Sequence, residues 1–381
     1  MSPSPRSGHI LIDRDLLGLL ELAFAPAPGG RPPQPAQIQP ASLDLRLGPR
    51  AWPMRAGFLP GGDPIADRIA SLAGPEIRLD EGGTTFERGQ VYLVELEERL
   101  ALPGDISARF NPRSSTGRCD LFTRVLTNRH PRFDEAPAGY RGPLYLEVCP
   151  LSFDVELRRG DRLCQVRLQK GEPALTTAQL RALYRETPLA FENDRPLAES
   201  EVTFGEQGEL LLGIGLQDRN PAGWCARPTA HTLNFSAQNH HDPKDFWDPI
   251  EAPNGRAILT PNHFYILASA QRIKIPPHLA AEMLPVDIGI GELRNNYAGF
   301  FDNGFGWEED ARQNPTGTGT TAVLEVRAHD VPFLVEHNQL FFRLRFFHTS
   351  GRPQNLYGQN RPGPSYRHQD LTLARTFKSP T

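Results

Sequence analysis

This sequence is poor in the features that mark several common kinds of protein. Its 381 residues include four cysteines, Cys119, Cys149, Cys164 and Cys225, and no two form a CxxC pair. That spacing suggests neither a zinc knuckle nor a thioredoxin-like redox motif and predicts reduced thiols, with Cys149 and Cys164 buried in strands. No apolar run is long enough to span a bilayer and no leader pattern opens the chain, so a cytoplasmic protein with no membrane association is expected. Positive charge is not in excess either, since the formal net charge is -4. A protein that binds a nucleic-acid polymer needs a basic surface to neutralise phosphates, so that partner is excluded, whereas a local basic pocket for one small phosphorylated ligand is not.

What the chain has in quantity is proline (37) and glycine (34), which favours many short strands joined by turns over long helices. Hydrophobic content of 39% and charged content of 23% describe a packed protein, and the length suggests two or three domains. One early helix is expected at Asp13–Phe24, "DRDLLGLLELAF", with Asp13 as N-cap. After a proline-rich loop the pattern turns to alternation, first in "SLDLRLG" at 42–48, then in "VYLVELEERLALP" and "GPLYLEVCPLSFDVEL".

The second half repeats the first. "YLVELEERLALPGDISARFNP" (92–112) aligns without gaps with "YILASAQRIKIPPHLAAEMLP" (265–285), and "LEVCPLSFDVELRRGDRLCQVRL" (146–168) with "LEVRAHDVPFLVEHNQLFFRLRF" (324–346). "TLNF" at 232–235 is a weaker echo of "SLDL". Two ungapped matches in the same order predict a tandem duplication. The expected fold is mainly β, two tandem β-barrel or jelly-roll domains with a few short helices, divided as 1–190 and 191–381. The join falls in the stretch from Lys170 to Glu201, where "TTAQLRALYRE" reads as a short helix.

One short segment concentrates groups that suit an anion. "NPRSSTGR", 111–118, holds two arginines, two serines, a threonine and a glycine. A triphosphate needs several donors converging from one place: hydroxyls and turn N–H groups give directional bonds, arginine gives charge in a planar fork, and Gly117 lets the backbone come close. Surface turns of this composition are common, so for the segment alone a solvated turn is the favoured reading.

Its neighbours add a resemblance. "LIDRDL", "ASLDLRLG", "RSSTGR", "YLEV" and "GDRLCQVRL" occur in the kind and order seen in the dCTP deaminase branch of the trimeric dUTPase-like superfamily, and the whole chain resembles a long tandem form of it. The resemblance implies that Ser114 and Arg118 contact phosphates and help order the attacking water, with Arg113, Ser115, Thr116 and Gly117 completing the turn. It implies that Glu147 is the general base and acid, with Tyr145 and Leu146 beside it. Asp134 matches the hairpin aspartate near the sugar and Arg129 the arginine next to the base. Tyr357 and Gln369 resemble the tail that closes over the nucleotide.

Deamination at cytosine C4 needs a water deprotonated, the ring nitrogen protonated and ammonia released, and one carboxylate of raised proton affinity in a dry pocket can carry those protons. Glu147, between Leu146 and Val148, suits that task, although a solvent-facing strand glutamate is the plainer reading of the residue alone. Zinc deaminases carry H-x-E and P-C-x-x-C, and neither occurs here. No zinc or other protein-bound metal is therefore expected, and Mg2+ arrives with the triphosphate.

In the second copy the phosphate turn is replaced by "VDIGIGE", with Asp287 and Glu292, which would repel a triphosphate. That copy keeps Glu325 and carries "AGFFDNGFG" (298–306), which resembles the family's base-reading hairpin. Either it is a degenerate structural copy, or the repeats divide one site between them. The leading expectation is zinc-independent hydrolysis of dCTP to dUTP and ammonia by a homo-oligomer, a trimer, with dUTP and dTTP as related ligands. The alternatives are a dUTP diphosphatase or bifunctional deaminase–diphosphatase, and an inactive nucleotide-binding regulator. His240, His241, Phe246 and Trp247 read as loop polarity and packing.

Overall fold

The computed structural model describes residues 8–285, 294–295, 299–328, 330–359 and 370–379. The chain is mainly β, as its composition predicts, with strands from His9 to His348 and a few short helices. It divides into two compact units. The first comprises residues 1–172, 228–246 and 374–381, and the second 173–227 and 247–373.

In the first unit, one sheet is ordered Ile77–Arg78, Leu47–Met54, Val91–Ala101, Arg141–Pro150, Leu121–Thr127. Another runs His9–Ile10, Cys164–Lys170, Ile106–Pro112, Glu135–Ala136, with Leu43–Leu45 also paired to Cys164–Lys170. Register explains the burial. Ala51, Val94, Leu146 and Val125 lie side by side across four strands, all 1% exposed or less. The next row, Trp52, Leu93, Glu147 and Arg124, must point to the opposite face because successive strand residues alternate.

The second unit repeats this pairing residue for residue. Glu147 opposes Leu93 in the first unit, and their sequence counterparts Glu325 and Ile266 oppose each other in the second. Val166 opposes Phe110, and Leu344 opposes Met283. Leu324, Leu344, Phe342 and Phe346 belong to one buried cluster in that unit. Each such side chain stabilises the unit by about 1.5–3 kcal/mol through burial.

The echo of the opening strand lies elsewhere than expected. "TLNF" belongs to the first unit, where Leu233–Asn234 pairs in parallel with Val155–Leu157. The counterpart of "SLDLRLG" is "ELLLGIG" at 209–215. Leu45 and Leu43 pair with Cys164 and Val166, while Leu212 and Leu210 pair with the matching positions Phe342 and Leu344. Short apolar strands share too little side-chain identity for the match to show before the register is known.

The early helix spans Asp13–Ala23, but Ile12 is its N-cap rather than Asp13. Asp15 accepts the Ile12 N–H at 3.1 Å, taking the reciprocal half of a capping box. The helix read from "TTAQLRALYRE" spans Thr177–Glu186, capped by Thr176. A helix at Ile65–Leu72, not expected from the sequence, covers the outer face of the first unit. Its Ile65, Ile69 and Leu72 pack with Trp52, Met54, Leu93, Leu126 and Tyr145.

Candidate active site

Glu147 sits on that covered outer face. Its residue is only 5% exposed, so the structure places it in a packed setting and not on a solvated strand surface. The surface loop after the Leu47–Met54 strand closes over it: the Phe58 N–H donates to its carboxylate, and a Cβ added to Gly57 would lie 2.6 Å from Oε2. Burial raises the proton affinity of Glu147 above the ordinary glutamate range, while Arg124 and the Phe58 N–H pull the other way. A carboxyl group under opposing influences of this kind can both hold a proton and release it.

Two neighbours share its face. Tyr145 is 9% exposed, and burial and Glu95 push its hydroxyl up to about 12, so it stays neutral. Burial, Glu147 and Asp120 push the Cys149 thiol up to about 11. Leu146 is fully buried on the opposite, inward face, so its side chain is directed away from the carboxylate.

The Arg-Ser segment forms a single helical turn, Ser114–Gly117, with Arg113 as N-cap. Two donors hang it from one carbonyl. Thr116 Oγ1 donates to Leu163 O at 2.7 Å and Arg113 N–H donates to the same atom at 2.9 Å. Arg113 Nε lies 3.3 Å from the buried Asp44 carboxylate, so its charge braces the turn from behind. Ser114 is exposed, Ser115 half-buried, and Thr116 and Gly117 buried. Arg118 is 3% exposed, and its N–H donates to Ser114 O at 3.0 Å.

The turn and Glu147 belong to connected strands. Pro150 pairs with Leu121 and the Leu151 N–H donates to Asp120 O, so the turn's exit abuts the end of the Glu147 strand. The three residues from Glu147 to Pro150 span roughly 10 Å of strand. Asp134 adopts a left-handed φ of 58° and accepts the Val125 N–H at 2.8 Å through Oδ1, which fastens the hairpin. Arg129 is exposed near the hairpin tip, also left-handed, at φ 56°.

Tyr357 belongs to the second unit. Its N–H donates to Asn303 O at 2.8 Å and its ring lies 5.4 Å from that of Phe305, within the segment "FFDNGFG". That hairpin is packed: Asn303 is fully buried and donates to Pro277 O. Glu325 is 6% exposed. Gln369, and all of "VDIGIGE" with Asp287 and Glu292, lie outside the described residues.

Sequence reasoning missed Arg124, Gly57 and Phe58. Arg124 faces Glu147 only by register across a long hairpin, and the loop residues reach it only by folding over, so local spacing carries no signal for either. His241 also differs from expectation. It accepts the Asn234 N–H at 2.9 Å and packs against Phe246 and Phe377, and it is not loop decoration. Phe246 and Trp247 are each 1% exposed. No helix among the described residues is long and apolar enough to cross a membrane.

Comparison with known proteins gives the arrangement a family. Residues 25–172 match the family model for the 2′-deoxycytidine 5′-triphosphate deaminase (DCD) N-terminal domain, and residues 176–377 match that for the C-terminal domain. The crystal structure of 2′-deoxycytidine 5′-triphosphate deaminase from Agrobacterium tumefaciens is 40% identical, with TM-score 0.80, covering 90% of this chain and 100% of that one. A dCTP deaminase, dUMP-forming, of Dictyoglomus thermophilum is 34% identical over 173 residues, 44% of this chain and 84% of the relative. A dCTP deaminase of Haloarcula marismortui is 32% identical over 159 residues, 41% of this chain and 78% of the relative.

Proposed function

Because the chain belongs to the 2′-deoxycytidine 5′-triphosphate deaminase family, we propose that it hydrolyses dCTP to dUTP and ammonia, with Glu147 carrying the protons. The observation that carries this reading is the buried Glu147 carboxylate, raised in proton affinity by its surroundings and held by the Phe58 N–H. In the ionised form it takes a proton from water as the water oxygen bonds to cytosine C4. It then delivers that proton to the ring nitrogen, forming a tetrahedral centre. Transfer of the hydroxyl proton by way of the same carboxylate to the amino group breaks the C4–N bond. Ammonia leaves, and the uracil carbonyl forms.

Ser114 and Ser115 bind the triphosphate with Arg118, and Ser114 and Arg118 help hold the attacking water. Arg113, Thr116 and Gly117 set the shape of the turn. Mg2+ enters as part of the substrate, bound to the phosphate oxygens. Arg129, Asp134, Tyr145 and Leu146 complete the proposed binding set in the first unit, with Leu146 acting through its backbone. The working form is a homo-oligomer, a trimer, whose mass light scattering measures.

Two of the relatives' names differ at a later step: the Dictyoglomus thermophilum protein is dUMP-forming and the Haloarcula marismortui protein carries no such qualifier. Deamination is common to both names. The test is to incubate the protein with dCTP and magnesium and resolve the nucleotides by chromatography alongside an ammonia assay. Ammonia with equimolar dUTP supports the reading. Ammonia with dUMP and pyrophosphate extends it to a second hydrolysis, and binding without ammonia rejects it.

A further inference from the structure

We propose that Arg124 is a positioning residue that sets the pH at which Glu147 exchanges its proton, and that Phe122 and Phe133 exist in part to hold it there. The inference rests on the proposed role of Glu147. Its basis is geometric. Glu147 and Arg124 are directly opposed in the antiparallel pairing of Arg141–Pro150 with Leu121–Thr127, so both side chains rise from the same face. Opposed Cβ atoms in such a pair are about 5 Å apart.

A long arginine is ordinarily free to swing into water, but this one is clamped. Its guanidinium carbon is 4.6 Å from the centroid of Phe122, two residues before it on the strand, and 4.6 Å from that of Phe133, on the hairpin. A planar cation lying over two ring faces is held by the ring quadrupoles and by the loss of alternative rotamers. Lysine offers no plane to stack, so arginine is the residue that these two rings fit. Phe133 is itself seated against the cluster of Trp52, Leu93 and Tyr145 that covers the face.

The surrounding groups leave Arg124 as the source of positive charge on Glu147. On its own strand Glu147 is flanked by Tyr145 and Cys149, both held neutral. From Val91–Ala101 come Leu93 and Glu95, and Glu95 answers to Arg50 and Arg99. Leu47–Met54 contributes Trp52, the covering helix Ile65, Ile69 and Leu72, and the loop an N–H from Phe58. Burial alone favours the protonated form of Glu147. The fixed cation offsets that and keeps the ionised, water-activating form within reach.

The experiment is the pH dependence of kcat/KM for wild type, Arg124→Met, Arg124→Lys, Phe133→Leu and Glu147→Gln. Arg124→Met keeps length and apolar contact but removes the charge. Its acid limb should move to higher pH by about one unit or more, since a neighbouring opposite charge shifts a carboxyl by roughly one to three units. Arg124→Lys and Phe133→Leu, which keep the charge but loosen it, should give smaller shifts in the same direction, and they carry the test if Arg124→Met does not fold. An acid limb unmoved in the folded Arg124 variants overturns the inference. So does a rise in KM with no movement of the limb, which would make Arg124 a substrate contact instead. Near-normal turnover in Glu147→Gln is a separate outcome, because it removes the underlying role of Glu147 whatever the Arg124 variants do.

Discussion

Thr116 and Leu163 are joined by a 2.7 Å hydrogen bond, hydroxyl to carbonyl, that ties the anion-friendly turn to the segment entering the Cys164–Lys170 strand. The same carbonyl accepts the Arg113 N–H, so the turn is fastened at its entry and in its middle. Thr116→Val removes the donor and keeps the branched shape. Because Leu163 retains the Arg113 N–H, stability should fall by about 1 kcal/mol. Affinity should fall more for dCTP than for deoxycytidine as the turn loosens. Thermal unfolding and calorimetric titration read the two effects, and Thr116→Ser should restore both.

Arg118 gives a sharper contrast between ligands. If it binds phosphate, Arg118→Ala should weaken dCTP roughly ten- to hundredfold, the equivalent of one charge-assisted hydrogen bond of about 1.5–3 kcal/mol. Deoxycytidine, with no phosphate, should be almost unaffected. Equal losses for both ligands would mean that the arginine, 3% exposed, supports the fold and not the triphosphate.

The raised proton affinity of Glu147 has a consequence for stability. A carboxyl group whose proton affinity is higher folded than unfolded favours the native state only where it is protonated. Its contribution is present in full below the ordinary glutamate value, about 4.3, and is lost as pH rises through the higher folded value. Above that range the raised proton affinity therefore costs the fold stability. Glu147→Gln should melt higher than wild type at pH 7, and the difference should shrink as pH falls through the glutamate range. Thermal unfolding measured from pH 7 to pH 4 checks the sign.

Gly57 bears on the same carboxylate from the other side. Gly57→Ala places a methyl 2.6 Å from Glu147 Oε2, closer than atoms pack, so the loop or the carboxylate must move. The loop is exposed, so stability should change by about 0.5 kcal/mol or less. Turnover should fall roughly tenfold or more, because small displacements at a reacting group are costly. Loss of rate without loss of melting temperature is the expected signature.

Much of this architecture can be read from alternation and repetition alone. The ungapped matches of 92–112 with 265–285 and of 146–168 with 324–346 reappear as identical strand registers in the two units. What escaped were elements whose identity depends on partners. "ELLLGIG" is recognisable as the counterpart of "SLDLRLG" only once Leu210 is seen opposite Leu344. Segment 228–246 joins the first unit through pairing that no local pattern announces.

The same division holds at the site. Glu147 and the Arg-Ser turn stand out only through their order among the motifs that carry the family resemblance; by residue type alone they read as a solvent-facing strand residue and a solvated turn. Arg124 does not stand out, because an arginine in an alternating strand reads as a solvent-facing residue. Its relation to Glu147 depends on the register set by a long hairpin, fastened by Asp134 through Val125. Gly57 and Phe58 reach Glu147 from a loop some ninety positions away in sequence, a contact that only the tertiary fold creates.

Single-turnover deamination by Glu147→Gln, measured beside its dCTP affinity, tests the central claim most directly. The substitution preserves shape and hydrogen bonding while removing the ability to carry a proton. Glu147 as proton carrier predicts dCTP binding close to wild type and ammonia release slowed by roughly a hundredfold or more, the range typical of general acid–base groups. Ammonia released by Glu147→Gln at close to the wild-type rate would contradict it.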